Sequence, residues 1–128
     1  MLAESRSRVL CVDDDEKSRD LLSTLLRFSG IEVEAVATAT QALSLIQKEY
    51  FDLYLLDTRL PDLDGFELCR RLRDGNSRAP ILSFSSAADE IDKKRGIEAA
   101  NAYTIKPNVD ELFGSIAQFV LYAECEAA

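Results

Sequence analysis

Residues 8–15 read Arg-Val-Leu-Cys-Val-Asp-Asp-Asp. Up to Val12 the run is apolar with no polar alternate, the pattern of a strand buried on both faces. It stops on three adjacent acids, so the chain leaves the interior carrying concentrated negative charge. The period then changes. Leu21, Leu22, Leu25, Leu26 and Phe28 recur at spacings of three and four across residues 16–29, which predicts an amphipathic helix. Gly30 is placed to end it, because glycine accepts the left-handed backbone that closes a helix.

The same alternation continues along the chain. Ile31–Ala37 alternates polar and apolar and predicts a strand with one wetter face, at an edge. Thr38 and Gln41 have the spacing of a capping box, opening a helix that Ala42, Leu43 and Ile46 continue to about Glu49. Asp52–Asp57 is a third strand and Asp64–Asp74 a third helix. The inner stripe of that helix is Phe66, Cys69 and Leu72, or Leu68 and Leu72. Gly75, Asn76 and Ser77 make a turn before a fourth strand, Pro80–Phe84. Ala88–Ala100 is a weak fourth helix with a thin apolar stripe and Gly96 inside it. Ala102–Ile105 is a fifth strand, and Asn108 with Glu111 caps a fifth helix to about Tyr122.

Five strands alternating with five helices demand parallel strands and right-handed crossovers. Helices then cover both faces, giving a doubly wound α/β domain. Five strands suit the order 2-1-3-4-5, with the switch point between strands one and three.

At 128 residues the chain is long enough for one such domain. Its core is expected over about 7–122, with 123–128 a disordered tail. Acids outnumber bases 23 to 15, a net charge of −8, which argues against nucleic acid or an anionic membrane as partner. No apolar run reaches ~18 residues, and the polar stretch Met1–Ser7 has no signal core, so a cytoplasmic location is expected. Three cysteines, far apart, point to reduced thiols. Cys11 and Cys69 read as small core residues, and Cys125 as an exposed thiol in the tail. Histidine is absent, which removes Ser-His-Asp chemistry and imidazole-ligated zinc.

In open α/β sheets, sites form beyond the carboxyl ends of the strands. Strand one ends in Asp13, Asp14 and Asp15, strand three in Asp57, strand four in Ser85 and Ser86, strand five in Lys106. Carboxylates gathered on one rim repel: at ~5 Å and an effective dielectric near 20, each pair costs roughly 3 kcal/mol. A hard divalent cation relieves that cost, and Mg²⁺, which keeps waters and phosphate oxygens among its ligands, fits best. The rim therefore suggests a magnesium-dependent phosphoryl site. Asp57 is its nucleophile, Lys106 neutralises phosphoryl oxygens, and Ser85 donates a hydrogen bond.

The stretches VDDD (12–15), LLDTRLPDLDG (55–65), SFSS (83–86) and YTIKP (103–107), each at a strand end, together resemble a response-regulator receiver domain over residues 7–122. The resemblance implies that Asp13 and Asp14 hold Mg²⁺, with Asp57 and the backbone carbonyl of Arg59 as further ligands. A competing register would use Asp14 and Asp15. Asp57 becomes the phosphoacceptor, Ser85 the switch hydroxyl, and Tyr103 the aromatic that follows it. Pro107 implies a cis bond that aims Lys106 at Asp57. Pro61, Asp62, Asp64 and Gly65 form the loop opening the third helix. The implied phosphodonor is a sensor histidine kinase or histidine phosphotransfer protein. The implied output is contact with a protein target, or a homodimer, through the face of the fourth helix, fifth strand and fifth helix. The protein is then a switch that catalyses only its own phosphotransfer and dephosphorylation.

The chain departs from the family pattern before strand five, where Asn101 replaces the usual glycine. The fourth helix is accordingly expected to be the least stable element. Lys93, Lys94 and Arg95 form the one basic run, read as a solvated face, with partner contact the alternative. A dehalogenase-type aspartyl-phosphate enzyme would need an acid where Arg59 stands. A flavodoxin would place its phosphate against three aspartates. The remaining alternative is a degenerate receiver serving as a phosphorylation-independent scaffold.

Overall fold

A computed structural model describes residues 7–57, 60–75, 79–85, 102–106 and 110–118. The elements are β1 (Arg8–Val12), α1 (Glu16–Phe28), β2 (Glu32–Val36), α2 (Ala39–Ile46), β3 (Leu53–Leu56), α3 (Gly65–Gly75), β4 (Ile81–Ser85) and β5 (Ala102–Ile105). A last helix covers residues 110–118. The five strands form one sheet in the order β2-β1-β3-β4-β5, every pair parallel. This is the expected doubly wound arrangement, with β2 at an edge. The predicted helix over Ala88–Ala100, the basic run at Lys93–Arg95, Asn101, Cys125 and the tail lie outside the described residues.

Alternation along β1 divides the interior into two. Val9 and Cys11 pack with Leu22 and Leu26 of α1 and with Leu112 and Ile116 of the last helix. Leu10 and Val12 pack on the opposite face with Ala39 and Ala42 of α2 and with Leu68, Cys69 and Leu72 of α3. Both faces of these strands are covered, which is why β1 beyond Arg8, and β3, show no polar alternation. Burial pushes the Cys11 thiol up to about 12 and the Cys69 thiol to about 11. Both are therefore packing groups rather than nucleophiles at neutral pH.

Helix ends follow local chemistry. At the end of α1, Gly30 takes φ 85°. Its N–H donates to the Arg27 carbonyl and the Ile31 N–H to the Leu26 carbonyl, each at 3.0 Å, a Schellman closure. The α1 stripe is narrower than the spacing predicts. Leu22 and Leu26 are buried, whereas Leu21 is 48% exposed and Phe28 93%. Five apolar residues span a wider arc than one sheet-facing line, so two of them turn to solvent. α2 opens with the expected capping box: Thr38 Oγ1 accepts from the Gln41 N–H at 3.2 Å, and Gln41 Oε1 accepts from the Thr38 N–H at 3.2 Å. It ends at Ile46, three residues before Glu49. Thr38→Ala is expected to lower the unfolding free energy by about 1 kcal/mol, read as a lower urea midpoint.

At the amino end of the sheet Arg8 ties three segments together. Its guanidinium donates to Glu49 Oε1 at 2.6 Å and to the Tyr50 carbonyl at 3.0 Å. It also lies 3.4 Å from Glu32 Oε2 and 4.9 Å from the centre of the Phe51 ring. All of the acids expected to carry chemistry lie at the other end.

Candidate functional site

Parallel strands bring their carboxyl ends to one rim, and backbone hydrogen bonds fix where each chain leaves the sheet. The Asp13 N–H donates to the Val36 carbonyl at 3.1 Å, and the Asp57 N–H donates to the Val12 carbonyl at 2.9 Å. Asp13 and Asp57 are thereby held side by side, 2% and 5% exposed. With exposed Asp14 they offer carboxylate oxygens that all lie within 4.8 Å of one another. Asp15 turns away. It stands at the N-cap position of α1 without a side-chain cap hydrogen bond, and its carboxylate accepts from the Ser18 hydroxyl at 2.8 Å.

Lys106, directly after β5, closes the cluster. Its Nζ is 2.8 Å from Asp13 Oδ2 and 3.3 Å from Asp57 Oδ2, and 5.9 Å from the centre of the Phe84 ring. It therefore bridges both carboxylates and sits closer to Asp13, where the sequence suggests Asp57 alone. The other Asp13 oxygen accepts from the Asp15 N–H at 2.9 Å.

Burial pushes the Asp13 carboxyl up. Lys106 and the Asp15 amide oppose this, and the net shift is upward. Burial pushes Lys106 down, but the Asp13 hydrogen bond and the charges of Asp57 and Asp13 outweigh it, so its net shift is also upward. Lys106 thus stays an ammonium at neutral pH, and burial disfavours the ionised form of Asp13.

The sign of the Asp13 shift gives a test. A carboxyl raised in the folded state binds more protons there than when unfolded. Its favourable contribution is full below the ordinary carboxylate value and is lost as pH rises through the raised one. Without divalent metal, Asp13→Asn is expected to be more stable than wild type at neutral pH. That advantage shrinks on acidification into the ordinary carboxylate range. Paired urea titrations across pH read it, and a constant difference contradicts it.

The structure brings Asp13, Asp14, Asp57 and Lys106 together. Ser85 ends β4 in register with Ile105, the residue before Lys106, and Tyr103 is in register with Ser83. Arg59, Ser86 and Pro107 lie outside the described residues. The donor set fits a hard divalent cation, because the groups gathered here among the described residues offer carboxylate oxygens, and their mutual repulsion falls when a cation lies between them.

Two neighbours had no reading as site residues. Arg19 Nη1 donates to the Asp13 carbonyl at 2.9 Å. Asp62, expected only as part of the loop before α3, grips the start of α2: its Oδ1 accepts from the Ala39 N–H at 3.0 Å and its Oδ2 from the Thr40 N–H at 2.8 Å. Within that loop it is Asp64 that caps α3, its Oδ1 accepting from the Phe66 N–H at 2.8 Å. Asp62 has no helix-cap spacing toward α3, and that is the one available sign that it serves another element.

Comparisons with known proteins agree with this fold. A family described as response regulator receiver domain matches residues 9–117. The DNA-binding response regulator MtrA of Mycobacterium tuberculosis is 37% identical over 103 residues, covering 80% of this chain and 45% of that protein. The chain thus spans less than half the length of the curated relatives it matches. A CheY-like response regulator receiver domain protein from Methanospirillum hungatei JF-1 superimposes with a TM-score of 0.87 at 32% identity, covering 94% of this chain and 98% of that one. The receiver domain of sensor histidine kinase PA1611 from Pseudomonas aeruginosa PAO1, whose structure has a magnesium ion coordinated in its active site cleft, superimposes with a TM-score of 0.81 at 28% identity, covering 90% and 98%.

Proposed function

The chain belongs to the response regulator receiver domain family, and from that membership we propose that it is a phosphorylation-controlled switch with Asp57 as phosphoacceptor. One observation carries the assignment. Asp57 is a buried carboxylate at a strand end, flanked by two further acids and 3.3 Å from an ammonium.

In the transfer step, an Asp57 carboxylate oxygen attacks phosphorus in line. The O–P bond forms as the P–N bond of a phosphohistidine breaks, and the electron pair leaves on the imidazole. Asp13, Asp14, Asp57 and the Arg59 carbonyl are the groups that would hold Mg²⁺. The bound ion would offset the charge of the carboxylate and of the phosphoryl oxygens. Lys106 shifts its hydrogen bonding from Asp13 toward the phosphoryl group, and Ser85 donates its hydroxyl to another phosphoryl oxygen. Tyr103 follows Ser85, which would couple the site to the face expected of the fourth helix, fifth strand and fifth helix. Water later cleaves the acyl phosphate and restores Asp57. These two steps on its own side chain are all the chemistry assigned to the domain.

The phosphodonor is a sensor histidine kinase or a histidine phosphotransfer protein. Output is contact with a protein target, or pairing of two copies, through that same face. A net charge of −8 supports protein partners for this segment over nucleic acid or an anionic membrane, and a cytoplasmic location belongs to the same reading. The whole of residues 1–128 is taken as one receiver domain.

Incubation with acetyl phosphate tests the reading. The intact mass is expected to rise by one phosphoryl group in magnesium and to stay unchanged in chelator. A mass that stays unchanged in both overturns it.

A further inference from the structure

A closed circuit of bonds runs through the acidic rim. Asp13 donates its N–H to the carbonyl of Val36, the last residue of β2. Two residues later Thr38 caps α2. The first turn of α2 is gripped by Asp62, which accepts from the Ala39 N–H, the Thr40 N–H and the Thr40 hydroxyl. Asp62 lies five residues after Asp57, and the Asp57 N–H returns to Val12, the neighbour of Asp13. Every link in this circuit is covalent or part of the sheet except one, the grip of Asp62 on α2.

We propose that Asp62 is a positioning residue for the site, latching the loop that follows Asp57 onto α2, so that the chain leaving Asp57 is anchored at its far end as well as at the sheet. The proposal rests on the metal-dependent reading above and assigns a role to a side chain that touches neither metal nor phosphate. Leu60 and Leu63 on either side of Asp62 pack against the buried cluster between α2 and α3. Apolar packing holds that loop down but is non-directional. The carboxylate supplies direction: two backbone donors and a hydroxyl converge on it, at the positive end of a helix dipole. The Thr40 hydroxyl, with help from the Thr40 and Ala39 amides, holds the Asp62 carboxyl below its ordinary value. The latch is therefore charged throughout the range in which the site works. A metal binds best when the segments around its ligands are held in place before it arrives. Without the latch, binding must first order the loop.

The test is calorimetric titration of the whole chain with magnesium chloride, with urea unfolding measured on the same preparations. Asp62→Ala is expected to weaken magnesium about tenfold, the lower end of what losing an outer support of metal ligands costs. Asp62→Asn, which keeps carbonyl acceptance but loses the charge, falls between. Thr40→Val removes a single donor and shifts affinity in the same direction, which keeps the test valid if Asp62→Ala fails to fold. Thr38→Ala is the control: it destabilises α2 without touching the latch, and leaves magnesium affinity at the wild-type value. Wild-type affinity in Asp62→Ala overturns the proposal alone, as does a loss in Thr38→Ala matching its loss of stability. A wild-type chain that gives no heat with magnesium overturns the reading beneath it as well.

Discussion

Asp57→Ala, mixed with acetyl phosphate and magnesium, keeps its original mass. The loss is expected to be complete because no neighbour can substitute. Asp13 has one oxygen bound by the Asp15 N–H and the other by Lys106. Asp14 is exposed to water, and Asp15 is turned onto Ser18. The substitution is also clean with respect to folding. It removes a buried negative charge from a cluster that repels itself, and Lys106 keeps Asp13 as partner at 2.8 Å. Circular dichroism should match wild type. Phosphorylation persisting on Asp13 or Asp14 would show that the acceptor has been assigned to the wrong strand end.

Lys106→Met is expected to cost about 3 kcal/mol of stability at neutral pH in metal-free buffer, the scale for removing one partner from a buried ion pair. Methionine fills much the same space, so the loss reports charge rather than packing. Asp13 and Asp57 then face each other without the ammonium that bridges them, and burial raises Asp13 further. Magnesium chloride should recover much of the deficit, because a divalent cation can do for two carboxylates what Lys106 did. Urea midpoints with and without magnesium read both effects. A Lys106→Met chain as stable as wild type would mean that the bridge contributes nothing.

Local patterns were sufficient where neighbouring residues decide the outcome. The run Arg8–Val12, the terminator Gly30 and the pair Thr38 and Gln41 each carry their structural consequence within a few residues. The gathering of Asp13, Asp14, Asp57 and Lys106 was also legible, since parallel topology leaves strand ends nowhere else to go. Other features depend on which surfaces meet. Helical periodicity marks Leu21 and Phe28 as apolar, but only the sheet decides that the buried line runs through Leu22 and Leu26. The hold of Asp62 on α2 spans 22 and 23 residues of sequence, and Arg8 reaches Glu49 across 41. No short motif announces such partners.

The outer strand β2 presents Glu32 and Glu34 to solvent on either side of buried Val33. An unpaired strand border is a template for other chains, and acids placed along it oppose that templating. Two molecules meeting border to border would bring Glu32 and Glu34 of one strand toward the same acids of the other. Amyloid-like stacking through this side is thereby disfavoured.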